Sequence, residues 1–437
     1  MSQNVNQEKK RPPRPFVCGI VMTDEWAASP NMGETDGNGI SKTAKMKAIK
    51  TSEGLKTILS GQAVGSWHRQ TLYDRFGWKI SELQETITGR DTRQFYTQCQ
   101  PIEFEEDDGR GYMAAVTWEE NKKKLPLTTK RTSPFMLSQF QSLAPNVRMR
   151  DYGILARNLD DLPEEVKGAM IFRTEIAAAA YGGLFSLNVP ELGRFTIGVG
   201  RDLLPVSELQ RALPPTYITA AKKDKNARNA EEKTKVSELE KALRRCVARE
   251  RGTVLVLSPE KRQSRAHDLI AAMAELEGGA HQTRRLYNVA PAAALVAFLD
   301  GGNCLPPYIF NAAIRSEDEY GNRLYRFEVS IDRLWKILKD NATRFLDGSN
   351  SKCLFYGSLG APAVSNESEV LTLLKGEDNE YPLPEGFKDR IEICDGPRAA
   401  IHAAANALPL TWFDSIGAEE ITDDLQFGQK LMDIIME

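Results

Sequence analysis

The sequence predicts an α+β fold, in which a small sheet carries long extensions. Residues 16–22 (FVCGIVM) form a short apolar run with β-branched side chains, which is typical of a buried strand. Residues 61–76 have the pattern of a helix, and Gly77 follows them as a terminator. Strand-like and helix-like segments alternate irregularly through the rest of the chain, with long polar insertions between them.

The composition is that of an ordinary globular protein. The 437 residues are 41% hydrophobic and 27% charged, and correspond to about two to three domains. The net charge of −3 argues against a protein covered with nucleic acid but permits local basic surfaces. Six cysteines without a CxxC pair favour reduced thiols. No apolar run is long enough for a membrane span or a signal core, so we expect a cytoplasmic protein without membrane contact.

The first part of the chain is expected to alternate loops with strands. Residues 1–14 are expected to be a flexible tail. Residues 25–57, rich in Gly, Asn, Lys and Thr, are expected to form a mobile loop. Segment 78–147 is irregular and charged; within it, EFEEDDGRG (103–111) is expected to be a solvated acidic loop and GYMAAVTW (111–118) a strand.

The later part has longer elements. Residues 148–178 are expected to form a hairpin-like arm, and 170–189 have strand character, although their alanine run leaves a helix open. Residues 203–250 are expected to be helical because apolar positions recur there at helical spacing. The elements expected after them are a strand at 253–258, a helix at 266–276 ended by Gly278 and Gly279, and an apolar element at 290–299.

Catalytic and metal-binding patterns are missing from the sequence. The histidines are His68, His267, His281 and His402, and none stands at metal-ligand spacing from a cysteine or carboxylate. There is no HExxH motif, P-loop or GxSxG elbow. We therefore expect no metal, no cofactor and no catalytic residue. His68 or His281 would be the base if the protein cleaved RNA.

Basic residues instead cluster in four places. Five lysines lie within fifteen residues of the first loop, where they could bind phosphates: Lys42, Lys45, Lys47, Lys50 and Lys56. The helix that follows carries Gln62, Ser66 and Arg69 on one face. An ordinary charged loop is the alternative interpretation of the lysines.

The other clusters combine cations with apolar neighbours, a mixture that suits single-stranded RNA. The second cluster comprises Lys122, Lys123, Lys124, Lys130 and Arg131. The third, on the proposed arm, comprises Arg148, Arg150, Arg157 and Arg173 with Tyr152, Ile154, Leu155, Met170 and Phe172. The fourth comprises His281, Gln282, Thr283, Arg284 and Arg285, for which a salt-bridged loop is the alternative.

Several weak motifs occur in a fixed order. They are Ser-Gly-Gln at 60–62, GYM at 111–113, KRTSPF at 130–135, FRTEI at 172–176 and GGAHQTRRLYNVAP at 278–291. Over about residues 15–310 the chain thereby resembles the crRNA-binding backbone subunit of type I CRISPR Cascade complexes, CRISPR-associated protein family seven, in its DevR-like, type I-B branch. It departs from that family at Gly65 and Ser66, where basic residues are usual, and in the length of segment 203–258.

The resemblance implies an RRM-like (ferredoxin-like) palm with finger and thumb extensions. The divisions would be a palm at 15–100 and 168–310 with a helical insertion at about 203–258, a finger at 101–147, a thumb at 148–178 and a C-terminal extension at 311–437. Copies of the subunit would polymerise along the crRNA spacer, kink it, and display its bases for pairing with target DNA beside other Cascade subunits. Met113 on the finger and Phe172 or Ile154 on the thumb are the expected apolar wedges.

The family acts by binding, so the resemblance implies no enzyme. The RNA-binding residues expected are Lys42, Lys45, Lys47, Gln62, Ser66, Arg69, Met113, Lys130, Arg131, Arg148, Arg150, Arg157, Phe172, Arg173, His281, Gln282, Arg284 and Arg285. Two alternatives stay open: an RRM-like CRISPR RNA-processing endonuclease with His68 or His281 as base, and a regulatory interaction protein without an RNA function.

Overall fold

The structure is a computed structural model. It describes residues 12–36, 43–88, 92–120, 123–146, 148–154, 163, 171–197, 243–249, 252–279, 287–306, 308–319 and 323–414. The described helices are α1 Gly61–Phe76, α2 Glu105–Gly109, α3 Pro259–Ala271, α4 Ile331–Asp340, α5 Glu367–Leu374, α6 Pro397–Asn406 and α7 Thr411–Asp414.

The described strands outnumber the helices, and the fold is mixed α+β, as predicted. In chain order they are β1 Pro15–Thr23, β2 Trp26–Ala28, β3 Met32–Asp36, β4 Thr43–Met46, β5 Ala48–Thr51, β6 Gly54–Leu59, β7 Gln84–Thr88, β8 Thr92–Tyr96, β9 Tyr112–Glu120, β10 Lys123–Arg131, β11 Phe135–Leu137, β12 Phe140–Ser142, β13 Met149–Ile154, β14 Ile171–Ala179, β15 Tyr181–Asn188, β16 Arg194–Ile197, β17 Leu243–Arg249, β18 Gly252–Leu257, β19 Pro291–Asp300, β20 Phe310–Glu317, β21 Arg323–Val329, β22 Leu354–Ser358 and β23 Ile391–Ile393.

The central sheet has the order β23-β22-β19-β1-β15-β12-β6-β5, and β11 also pairs with β15. Strand β1 lies between β15 and β19 and is antiparallel to both. Helix α1 falls in sequence between β1 and β12, and α3 falls between β15 and β19. Within this sheet, two strand–helix–strand units are therefore interleaved in the order β19-β1-β15-β12.

Both faces of the central sheet are covered. Val17 and Val21 of β1 pack with Leu269 of α3 on one face, in a core that α1 and α6 complete. Ile20 of β1 packs with Leu334 of α4 on the other face, where the C-terminal third of the chain forms a second core. All nine residues of β1 are buried. Because both faces of the strand are covered, its side chains are apolar along most of its length and do not alternate with polar ones.

Helix α1 begins and ends where the sequence predicts. The Ser60 side chain accepts a hydrogen bond from the Ala63 amide at 3.3 Å, which satisfies one of the free donors at the helix N-terminus. Gly77 follows with a φ of 66°, in the left-handed region that favours glycine at a helix C-terminus. The predicted first strand and helix are therefore confirmed.

Two local predictions are wrong because strand pairing overrides composition. Segment 25–57 is not a loop: its described residues form β2 to β6, with Gly54 at a φ of 131° closing the turn between β5 and β6. Residues 243–249, expected to be helical, form β17, because β18 takes partners on both of its sides in the order β16-β18-β17. The rest of the expected helical insertion, 198–242, lies outside the described residues.

The strands of the segments proposed as extensions pair in several different sheets. Strands β9 and β10 pair only with each other in the finger segment, and β13 and β14 form the two sides of the arm. Two strands of the finger segment, β11 and β12, pair instead in the central sheet, and the C-terminal region adds β22 and β23 to it. The division into palm, finger and thumb stays a prediction. In the described part of the chain, none of the helices combines the length and apolarity needed to cross a membrane.

Candidate nucleic-acid interface

Helix α1 presents a polar face to solvent. Gln62 and Ser66 are exposed, and 39% of the Arg69 side chain is accessible. The opposite face carries Val64 and Leu72 into the core. The three polar side chains that the spacing groups together therefore lie on the surface, one turn after another.

The acidic patch is not the solvated loop that the sequence predicts. Residues 105–109 form α2, and Asp107 and Asp108 are fully buried. Asp108 is ion-paired with Arg131 and with Arg265, whose Nη1 lies 2.7 Å from its carboxylate. The prediction is wrong because the neutralising arginines come from distant parts of the chain and satisfy the buried charge.

Arg131 is anchored by the same cluster. Besides its ion pair with Asp108, its guanidinium donates to the carbonyl oxygens of Glu191 at 2.9 Å and Arg194 at 3.0 Å. Only 13% of the side chain is exposed. Arg131 is the last residue of β10, so these bonds fix the root of the β9–β10 hairpin and leave the guanidinium little capacity for RNA.

Glu106 connects α1 to α2. Its carboxylate is ion-paired with Arg69 and accepts a hydrogen bond from the Tyr73 hydroxyl, one turn further along α1. Burial and this hydrogen bond raise the pKa of Tyr73. Burial also raises the pKa of the neighbouring Asp107, although Ser81 Oγ donates to it at 2.9 Å. The acidic helix thus holds Arg69 in place while part of its side chain stays accessible.

Sequence reasoning missed Arg110, which lies between α2 and the β9–β10 hairpin. The Arg110 guanidinium fills the space beside α1 that the missing side chain of Gly65 leaves open. Burial and the charge of Arg69 lower the pKa of Arg110 to about 10. The sequence did contain an indication of this contact. Gly65 lies inside a helix, at a position where a basic residue is usual in the family that the chain resembles.

Three of the predicted basic residues lie on the strands of a second sheet. This arm sheet has the order β13-β14-β4-β3, and β2 also pairs with β14. Arg150 lies opposite Glu175, and Arg173 lies two residues before Glu175 on the same strand, so these three side chains share a face. Lys45 lies on β4, which runs parallel to β14 at Arg173.

Glu175 joins the arm to the first loop. Its buried carboxylate lies 2.9 Å from Arg148 Nη1 and accepts a hydrogen bond from the Met46 amide at 3.0 Å. Arg150, by contrast, is exposed. The arm sheet therefore groups Lys45, Arg150 and Arg173 on its strands, with Arg148 beside it paired to the buried Glu175.

Lys47 continues this surface toward α1. Its carbonyl accepts a hydrogen bond from the Ile58 amide at 2.9 Å, two residues before the Ser60 cap of α1. Lys47 itself is partly exposed. The segment from Lys45 to Lys47 thus leads from the arm sheet to the N-terminus of α1. Lys56 is not part of it, because its buried ammonium donates to the Leu143 carbonyl at 3.0 Å.

The root of the β9–β10 hairpin carries two predicted residues. Met113 pairs across the hairpin with Lys130. The Met113 side chain is 69% exposed, a high value for a large apolar group. Lys130 is partly buried. Arg110 lies only three residues before Met113, and its guanidinium lies beside Gly65 of α1. Helix α1 and this hairpin root are therefore neighbours.

Several predicted residues cannot be placed. Those outside the described residues are Lys42, Arg157, His281, Gln282, Arg284 and Arg285. Phe172 and Ile154 lie on β14 and β13, and the structure describes only their backbone.

His68 is a core residue. It is fully buried, its ring stacks on Phe135 at 4.6 Å, and its Nε2 lies 2.9 Å from the Leu269 carbonyl oxygen, to which it donates. Burial and the charge of Arg110 lower the pKa of His68 to about 3. A buried ring without solvent access cannot take a proton from an RNA substrate. Among the described residues, no group of three or more His, Cys, Asp or Glu side chains is arranged to hold a metal ion.

Comparison with known proteins identifies one family. Residues 25–307 match the family model described as CRISPR-associated negative auto-regulator DevR/Csa2. No curated protein matches the sequence. The solved structures that match include a chain described as "CRISPR RNA-guided surveillance complex, pre-nicking", at 9% identity and a TM-score of 0.44, and one described as "CRISPR RNA-guided surveillance complex", at 11% identity and a TM-score of 0.41. Each similarity covers 90% of this chain and 99% of the other.

Proposed function

The chain belongs to the CRISPR-associated DevR/Csa2 family, and we propose that it is the crRNA-binding backbone subunit of a type I CRISPR Cascade complex, of the type I-B branch. The observation that carries the proposal is the grouping of cations on the arm sheet. Arg150, Arg173 and Lys45 come from two separate clusters of the sequence, yet they lie on adjoining strands of one sheet. Lys47 extends that surface to the polar face of α1.

An RRM-like palm is part of this proposal. The strand order β19-β1-β15-β12, with α1 and α3 in the two crossovers, supports it, because ferredoxin-like folds interleave their βαββαβ units in this way. RRM domains stack RNA bases on the open face of their sheet. Here the C-terminal third covers that face, so the RNA would follow the arm sheet, α1 and the hairpin root instead.

The mechanism follows from that path. Lysines and arginines of the arm sheet and of α1 would hold the backbone of the crRNA, which carries the sequence information itself. Met113 on the finger, with Phe172 or Ile154 on the thumb, would separate neighbouring bases and kink the RNA. Copies of the chain would bind side by side along the spacer in the cytoplasm, together with other Cascade subunits, and each copy would kink the RNA in the same way. The remaining bases would stay free to pair with target DNA. The subunit would act by binding and not as an enzyme.

Two alternative functions can be distinguished from the proposed one by experiment. The family description itself includes the words negative auto-regulator, which favours a regulatory protein as the second candidate. An RNA-processing endonuclease is a weaker candidate because His68 is fully buried, so its base would have to be His281.

The test is to purify the protein with and without a co-expressed CRISPR array. We expect a large particle with a high 260/280 nm absorbance ratio, whose RNA matches the spacers of the array. A monomer free of RNA in both cases would favour the regulatory function. Cleaved repeat RNA produced by the purified protein alone would favour the endonuclease.

Comparing two triple variants tests whether RNA binds at the arm sheet. We expect replacing Lys45, Lys47 and Arg150 together by glutamine to weaken RNA binding and to reduce the salt dependence of the affinity, by about 0.7 in slope for each phosphate that the protein no longer neutralises. The matched control replaces three exposed cations of the C-terminal region, Arg315, Lys336 and Lys388, and removes the same charge. Equal weakening in both variants would point to a general charge effect and not to this surface.

A further inference from the structure

We propose that Cys304 and Cys18 are a peroxide-reactive thiol pair, in which Cys304 is oxidised first and Cys18 then closes a disulfide bond with it. Both are free thiols in the structure. The inference concerns covalent chemistry of the protein itself and does not rest on the proposed function.

The fold brings the two thiols together on the face of the central sheet that the C-terminal third covers. Cys18 lies in the middle of β1, and Cys304 follows β19 in the chain and packs on the same core. The amide of Leu305 donates a hydrogen bond to Cys18 Sγ at 3.3 Å, which holds the Cys304 segment against β1. The two thiols are themselves in hydrogen-bond contact. Their sulfur atoms are therefore neighbours before any bond forms between them.

The hydrogen bonds give the two thiols different roles. The hydrogen bond from Cys18 lowers the pKa of Cys304 to about 7, and the same bond, with burial, raises the pKa of Cys18. A hydrogen bond with the Ser186 hydroxyl also lowers the pKa of Cys304. Ser186 lies directly opposite Cys18 on β15, so the pairing of β1 with β15 places both groups beside Cys304. Because the thiolate is the nucleophile, Cys304 is the thiol that reacts first.

Solvent reaches Cys304 and not Cys18. Cys304 is partly exposed and follows the exposed Gly302 and Asn303, whereas Cys18 has no accessible surface. Arg344 Nη2 donates to the Asn303 carbonyl at 3.1 Å, and its positive charge opposes the rise in the pKa of Cys18. A partly exposed thiolate close to a cation, with a second thiol beside it, is the kind of cysteine that peroxides oxidise.

The reaction balances with a peroxide as the oxidant. The Cys304 thiolate attacks one oxygen of hydrogen peroxide, the O–O bond breaks, and the products are Cys304 sulfenic acid and hydroxide. The Cys18 sulfur then attacks the sulfenic sulfur, and the Cys18 proton leaves with the hydroxyl group as water while the S–S bond forms. The two electrons that the thiols lose reduce the peroxide. A dithiol reductant would restore both thiols by exchange.

Cys394 provides a comparison within the same chain. It is also partly exposed, but burial and the charge of Glu392 raise its pKa to about 11, so at neutral pH it is almost entirely protonated. In the folded, reduced protein at pH 7, we therefore expect iodoacetamide to label Cys304 at least about tenfold faster than Cys394.

The main experiment treats the reduced full-length protein with hydrogen peroxide and, after acid quenching, maps its cysteines by mass spectrometry. In the wild type we expect two peptides linked through Cys18 and Cys304, and loss of this link on treatment with dithiothreitol. Cys18→Ser should leave Cys304 as a sulfenic acid that dimedone traps, and Cys304→Ser should leave Cys18 reduced. Cys394→Ser is the matched control and should form the link as the wild type does.

The wild-type measurements need no substitution, so they decide the question even where a variant fails to fold. Labelling of Cys304 and Cys394 at equal rates would overturn the inference. So would a wild type in which dimedone traps Cys304 and no link to Cys18 forms. Neither measurement involves RNA, so the proposed function is tested separately.

Discussion

Arg265 donates a hydrogen bond to the carboxylate of Asp108 at 2.7 Å, although 157 residues separate them in sequence. Both side chains are almost completely buried. The same carboxylate is ion-paired with Arg131 at the end of β10, so this contact ties α3 to the root of the β9–β10 hairpin. The acidic helix α2 thereby positions the hairpin and does not face solvent.

Replacing Asp108 should strongly destabilise the protein. Asp108→Asn leaves two buried guanidinium groups without their counter-charge, and removing one member of a buried ion pair costs about 3–5 kcal/mol. The measurement is the free energy of unfolding in denaturant. Asp74→Asn removes an exposed carboxylate of α1 and is the control, for which we expect a change within about 0.5 kcal/mol. Equal stability of both variants would contradict the structural role of α2.

Substitution of two arginines of the arm should affect different properties, one the stability of the fold and the other RNA binding. Arg148 is ion-paired with the buried Glu175, whereas Arg150 is exposed on the same arm. We therefore expect Arg148→Met to lower the melting temperature, because Glu175 loses its counter-charge, and Arg150→Met to weaken RNA binding at unchanged melting temperature. Each variant is the other's control, and the opposite pattern would show that Arg148 is the RNA contact.

The protein should become less stable as the pH is lowered, because of His68. Its pKa is about 3 in the folded protein and about 6.5 in an unfolded chain. Between these values the unfolded state binds a proton that the folded state excludes, so the free energy of unfolding decreases as the pH falls, by up to about 1.4 kcal/mol per pH unit from this group. Above about pH 6.5 the group contributes no pH dependence.

The check compares the wild type with His68→Gln, which keeps an N–H donor for the Leu269 carbonyl. We expect the plot of unfolding free energy against pH to be steeper for the wild type between about pH 6.5 and 3. Parallel plots would mean that His68 is accessible to protons in the folded protein, and the endonuclease would regain a candidate base.

Met113 should act on the bases and not on the phosphates. Its side chain is 69% exposed at the root of the hairpin. We expect Met113→Ser to reduce the fluorescence of 2-aminopurine in bound RNA, because that base is bright only when unstacked, and to leave the salt slope of binding unchanged. The control is Met136→Ser, an exposed methionine on β11. A changed salt slope with unchanged fluorescence would remove Met113 as a wedge.

Local patterns in the sequence were sufficient for the elements whose signal is local. The apolar run of β1 and the Ser60 and Gly77 ends of α1 were predictable because each depends on residues within a few positions. Strands β13 and β14 of the arm pair with each other, and the role of the arm as a thumb stays a prediction. Segment 25–57 was not, because its strands are stabilised by partners far away, such as β14 for β4.

The α+β class, the positions of the first strand and helix, and the motif order that indicates the family all follow from the sequence alone. Which charges are available to a ligand depends on the folded structure. Lys56, Arg131 and Arg148 are engaged by carbonyls or carboxylates, while Arg150 is exposed and Arg110 lies against α1. Residue type specifies a charge, but burial and the partner brought by a distant segment decide whether that charge is neutralised within the protein or offered to a ligand.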